Sequence, residues 1–105
     1  MPARFILSPE AQRDIEQIRD YYVDAAGVQV ARHVLGQITK ALRFLGETPG
    51  AGHRRIDLTD EDVRFWPVLS YLIGYDPAMR PIGIARVLHT ARDLETLLRR
   101  TPPRM

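Results

Sequence analysis

His89, with Arg64 and Arg86 before it and Arg92 just after it, belongs to the set of side chains in this 105-residue sequence best suited to handling phosphate. An imidazole titrates near neutral pH and can carry a proton, while a guanidinium grips two phosphate oxygens at once and stays charged. Tyr71 and Tyr75 add phenols that can donate. Attack of a 2′-hydroxyl on a phosphodiester needs a general base, a general acid and cations for the crowded charge, so Arg64, Arg86 and His89 define one catalytic reading. The supply of proton carriers is thin, because Lys40 is the only lysine. Each residue also has a structural reading. His89, at the end of a β-rich run, can donate to a backbone carbonyl and pin the helix that follows. Arg92 and Asp93 can be a helix-start pair, the carboxylate favoured near the positive end of the helix dipole. Phe65 and Trp66, just before Pro67, suit a core as well as an interface anchor.

The absence of cysteine excludes a disulfide framework, a thiolate metal site and a cysteine nucleophile. His33 and His53 have no partners at metal-ligand spacing, so neither a metal nor another cofactor is expected. The net charge of +2 does not by itself predict nucleic-acid binding. Its distribution says more. From Glu47 to Asp62 five acidic residues face two basic ones, whereas beyond Val63 the arginines at 64, 80, 86, 92, 99, 100 and 104 face only Asp76, Asp93 and Glu95. A GC-rich genome explains the arginine excess as readily as phosphate contacts do. Arg54 and Arg55 read as solvated loop residues. A length of 105 residues, 45% apolar and 27% charged, suits one domain with one core, residues 1–105, with a frayed tail at 101–105. The first seven residues lack a signal-peptide pattern and no run is long enough to span a membrane, so a cytoplasmic protein with no membrane contact is expected.

The elements that position these residues follow from pattern. Residues 3–7 read as a strand ended by Ser8-Pro9, an N-cap and N1 pair that starts a helix. Ala11, Ile15, Ile18, Tyr22 and Ala25 recur at helical spacing up to Gly27, a natural stop. A second helix begins near Val28 with a stripe of Ala31, Val34, Leu35, Ile38, Leu42 and Leu45, and is expected to close at Gly46. The short link makes the two an antiparallel hairpin. Residues 46–62 read as loop. Three β-rich runs follow, at 63–66, 69–75 and 82–89, broken by Pro67 and by the 76–81 turn. The last two are apolar on both faces, as expected of central strands. A terminal helix at 91–99, with Leu94, Leu97 and Leu98 on one stripe, would cover part of the second face. The expected class is α+β, in the order β-α-α-β-β-β-α, a helical hairpin on a small antiparallel sheet.

That order, together with Leu7-Ser8-Pro9-Glu10-Ala11, Arg64-Phe65-Trp66-Pro67-Val68, Tyr71-Leu72-Ile73-Gly74-Tyr75 and the run from Arg86 to Leu94, resembles the RelE/ParE-type toxins of bacterial type II toxin–antitoxin pairs over residues 3–98. The branch it looks most like is ParE. The resemblance implies a toxin that poisons DNA gyrase by contact, or, in the RelE branch, an endoribonuclease that cleaves messenger RNA at the ribosome. A degenerate copy that binds only its antitoxin is a third reading. RelE-like nucleases often carry lysines or a carboxylate base, and related members often end soon after a His-Tyr pair. Here Thr90 follows His89 and a further helix follows that, which favours the non-nuclease branch. A cognate antitoxin, itself DNA-binding, is implied throughout, and direct nucleic-acid binding by the toxin is the lesser expectation. The expected target-binding residues are Arg64, Trp66, Tyr75, Arg86, His89 and Arg92. Those expected to meet the antitoxin are Ile18, Tyr22, Leu35, Ile38 and Leu42.

Overall fold

The computed structural model describes residues 4–94. Strand β1 (Phe5–Leu7) leads into helix α1 (Pro9–Ala26), and α2 (Val28–Glu47) follows after one residue. The Ser8 hydroxyl oxygen caps α1 by accepting the Ala11 N–H at 3.0 Å, and the same hydroxyl donates to the Ala85 carbonyl at 2.8 Å. One side chain therefore starts the helix and ties it to the sheet. Gly27, at φ +94°, ends α1 and reverses the chain, and its N–H donates to the Tyr22 and Val23 carbonyls. A side chain at that φ would be strained, which explains why glycine stands at the corner.

Four more strands follow: β2 (His53–Arg54), β3 (Arg64–Val68), β4 (Tyr71–Asp76) and β5 (Ile82–His89). The sheet order is β1-β5-β4-β3-β2. All neighbours are antiparallel except β1, which lies parallel to β5 with Leu7 opposite Ile84. The α+β class and the order of elements are those expected, with three corrections. The stretch 46–62 contains a strand, β2. The sheet is mixed rather than wholly antiparallel. Pro67 does not break a strand but sits inside β3 opposite Leu72. It is tolerated because β2 pairs only with Arg64 and Phe65, so no ladder bond on that side needs a proline N–H. The reversal falls two residues later, at Leu69-Ser70.

Alternation along β4 sends Tyr71, Ile73 and Tyr75 toward the helices, where they form the main core with Ala11, Ile18, Val34, Ile38, Leu42 and Leu45. The α2 stripe is buried as expected, with Leu35 only half-buried. Helix α2 runs one residue past Gly46. That glycine is there for close approach, since a Cβ would meet the Arg4 carbonyl oxygen at 2.6 Å. Part of the second face of the sheet is covered from within the chain, where Leu58, Phe65 and Leu72 form a smaller cluster against Val63 and Leu94. Helical backbone resumes at residues 92–94, whereas Leu97, Leu98 and the tail at 101–105 lie outside the described residues. No helix among the described residues is long and apolar enough to cross a membrane.

Candidate functional site

The chemistry-bearing residues divide into those committed to the fold and those lining a cavity. Arg64 belongs to the first group. Its Nη1 donates to the Gly50 and Gly52 carbonyls at 3.3 and 3.0 Å, while its Nε is buried without a partner. Tyr75 works on the same loop. Its hydroxyl donates to the Pro49 carbonyl at 2.7 Å and accepts the Gly52 N–H at 2.8 Å. The Tyr75 side chain is 0% exposed, so it offers no surface to a target. Together they hold the 49–52 turn that delivers β2 to the sheet edge.

Arg86 is likewise engaged. Its Nε and Nη2 fork onto the Asp14 carboxylate of α1 at 2.8 and 3.0 Å, and Asp14 also accepts the Val87 N–H at 2.9 Å. The Arg86 guanidinium is held above its usual pKa, first by that hydrogen bond and also by the nearby carboxylate charges, against a smaller opposing effect of burial. Because β1 covers β5 only as far as Ile84, the strand beyond would present bare N–H groups. Asp14 satisfies one at Val87, and Asp93 satisfies the next at His89, at 2.7 Å.

His89 caps the helical turn that begins at Arg92. Its Nδ1 accepts the Arg92 N–H at 3.2 Å while Asp93 reaches back to the His89 N–H, a reciprocal arrangement similar to a capping box. The structural role read from sequence thus appears with the polarity reversed: the ring accepts rather than donates. Nδ1 is thereby engaged within the fold, which leaves Nε2 as the ring nitrogen available for a hydrogen bond to a ligand. Burial alone would raise Asp93, but the Arg92 guanidinium, the His89 N–H and the charges of Arg92 and Arg86 outweigh it and hold the carboxyl below its usual range.

Around this cap lies a cavity of about 300 Å³, walled by Gln17, Tyr21 and Tyr22 of α1 together with Tyr71, His89 and Arg92, over Ile18. Tyr21 and Tyr22 meet edge to face at 5.0 Å between ring centroids, as do Tyr71 and His89 at 5.4 Å. Burial first, and the neighbouring Tyr22 hydroxyl second, raise the Tyr71 phenol above its usual range, so it remains a protonated donor. Sequence reading missed Tyr21 and Gln17, and the adjacent tyrosines at 21 and 22 were the available signal. His89 and Arg92 come together here. Arg64 does not join them. It pairs across from Tyr75, whereas His89 pairs across from Tyr71, four residues away on β4 and so about 13 Å along the strand.

On the opposite side of α1 a second, apolar hollow of about 400 Å³ lies between the helices, formed by Val23, Val28, Ala31, Leu35 and Gly36 and flanked by Arg19 and Arg32. Of the residues expected to meet an antitoxin, only Leu35 lies here. Ile18, Ile38 and Leu42 are core residues, and the half-buried Tyr22 faces the tyrosine cavity. Helical spacing marks an apolar stripe without saying which layer it faces, and at Ile18, Ile38 and Leu42 that layer is the core of this chain. Trp66 is half-buried, its ring 5.2 Å from Phe44 of α2. No group of three or more potential metal ligands occurs among the described residues.

A helical hairpin on a five-stranded mixed sheet, with Arg64 and Arg86 held by groups of the chain itself and a hollow on either side of α1, defines a small α+β domain. Residues 5–94 match the family described as "ParE toxin of type II toxin-antitoxin system, parDE", and the chain belongs to that family. Among solved structures it is similar to one titled "Chromosomal ParDE TA system from P. aeruginosa", at 20% identity and a TM-score of 0.70, covering 81% of this chain and 92% of that one. At that identity the likeness speaks for the fold. No curated protein matches the chain.

Proposed function

We propose that the chain arrests growth in the cytoplasm by docking on DNA gyrase, as a poison that acts by contact rather than by cutting RNA. Family membership supports the toxin class. The observation that carries the choice of mechanism is the dispersal of the nuclease candidates: Arg64 is bound to the 49–52 turn, Arg86 to Asp14, and His89 has its Nδ1 lone pair engaged. Ribonuclease chemistry needs a free base and convergent cations at one phosphate. These residues meet neither requirement.

The test is a supercoiling assay with purified toxin and gyrase, together with mapping of messenger RNA ends after induction. Inhibition or trapped cleaved DNA, with RNA ends that are the same in wild type and His89→Ala, is the expected result. New RNA ends that vanish in His89→Ala would overturn the reading.

A cognate antitoxin is the natural occupant of the apolar hollow between Arg19 and Arg32. An amphipathic segment with acidic residues flanking an apolar stripe would match both its lining and its charge. Gly36 stands in that lining with open space where a Cβ would project. Gly36→Leu would fill the hollow, and copurification with the product of the neighbouring reading frame should weaken while the fold persists.

A further inference from the structure

The β3–β4 hairpin reverses in two residues, since Val68 and Tyr71 are directly paired. Two-residue reversals of this kind select glycine, asparagine or aspartate, because at least one central residue takes a positive φ. Here that residue is Leu69, at φ +53°, the only non-glycine among the described residues with a positive φ. Leucine gains nothing from the local backbone there. It gains little from packing, being 57% exposed. A residue that violates both local preference and burial is the kind found where a complex, rather than the free fold, sets the choice.

The tip is joined to the tyrosine cavity. The Ser70 carbonyl accepts both the Thr90 N–H at 2.9 Å and the Thr90 hydroxyl at 3.1 Å. Tyr71, which follows Ser70, pairs with His89. The cavity beside the tip is lined by groups that can donate: the Arg92 guanidinium, His89 Nε2 and the tyrosine hydroxyls. Arg92 lines the cavity already paired with Asp93 through its Nε, at 3.1 Å.

We infer that the end of the sheet bearing Leu69, Tyr71, His89 and Arg92 is the surface that meets the toxin's protein target, with Leu69 entering an apolar socket and the cavity receiving an aspartate or glutamate of the same protein. This rests on the reading that the toxin acts by docking. A protein fits better than a nucleic acid, because an exposed leucine has no counterpart on a phosphate backbone and the net charge is only +2. The surface is separate from the antitoxin hollow, which lies across α1.

The experiment compares wild type with Leu69→Gly and Leu69→Asn, both of which suit the turn. The expected result is an unchanged or higher melting temperature, antitoxin binding within about twofold, and growth arrest weakened by about tenfold to a hundredfold, the loss expected for one leucine leaving an apolar socket. Full arrest by either folded variant overturns the proposal, as does a wild type that arrests nothing. Loss of antitoxin binding in parallel with arrest also overturns it, since the two surfaces would then be one. So does binding of a labelled single-stranded oligonucleotide that is abolished in Tyr21→Ala, which would assign the cavity to nucleic acid. Growth arrest that depends on Leu69 without any effect on gyrase would sink the gyrase reading and leave this surface standing.

Discussion

Replacing Asp14 with alanine removes three hydrogen bonds at once, two from Arg86 and one from the Val87 N–H, and cuts the polar tie between α1 and β5. The two components differ in worth. Arg86 is 45% exposed, so solvent screens the ion pair and its contribution should not exceed about 1 kcal/mol. The Val87 N–H is part-buried, and leaving it without an acceptor costs about 1–3 kcal/mol. The sum is about 1–4 kcal/mol for Asp14→Ala, against about 1 kcal/mol or less for Arg86→Ala, which leaves the Val87 bond intact. Asp14→Asn keeps an acceptor and should fall between them. At about 4–8 °C per kcal/mol for a domain near this size, Asp14→Ala should melt at least about 4 °C below wild type. Urea denaturation followed by circular dichroism, with an unchanged m-value, is the assay. If Arg86→Ala costs as much as Asp14→Ala, the ion pair dominates and the assignment of the larger share to the strand-edge amide is wrong.

Tyr75→Phe should cost about 1–3 kcal/mol in urea, because it strands the Pro49 carbonyl and the Gly52 N–H inside the fold. Gly52→Ala should be at least as damaging, since the new Cβ would lie 2.5 Å from the Tyr75 hydroxyl and 3.0 Å from the Phe65 carbonyl oxygen. Gly36→Ala, in the interior of α2 with open space around it, should add up to about 1 kcal/mol of stability in the same titration. For Asp93, the folded pKa lies below the unfolded value of about 3.9, so its contribution is present above that pH and is lost as pH falls through the lowered folded value. Acid titration of melting temperature should accordingly show a shallower decline below about pH 4 in Asp93→Asn than in wild type, and an identical slope in the two would show that Asp93 gains nothing on folding.

The helical layer was legible because its signals are local. Ser8-Pro9 and Gly27 mark the ends of α1, and the α2 stripe repeats at 3.6 residues, all within the reach of one turn of backbone. The sheet was legible where alternation or a short turn carried it, which covers β4 and β5. It was not legible at β2, whose His53-Arg54 has no β preference and is held by Tyr75 and Arg64 from 12 to 26 residues away. Nor was it at Pro67, whose tolerance depends on how far β2 extends alongside it. The parallel placement of β1 depends on register with a strand more than seventy residues later, which no window of sequence contains.

The site failed to read cleanly for a related reason. An arginine is available to a ligand only if no group of its own chain already holds it, and those groups sit far off in sequence: Asp14 is 72 residues from Arg86, and Gly52 is 12 from Arg64. Composition counts all of these guanidiniums alike, whereas the fold commits two of the three arginines singled out between positions 64 and 92 to holding an element in place. Arg92 is paired too, with Asp93, and what sets it apart is its neighbours. Arg92 stands beside a histidine whose Nδ1 accepts the Arg92 N–H, and both line a cavity with Tyr21 and Tyr22 of another layer. Leu69 follows the same logic from the apolar side, since only its backbone angle separates it from any other exposed leucine. A charge or an apolar side chain in this small domain therefore becomes a candidate for recognition when the fold sets it in the wall of a cavity or has accepted a conformational cost to display it. By that criterion the tip and cavity at the Tyr71–His89 end of the sheet are stronger candidates for target recognition than the arginine-rich sequence around them.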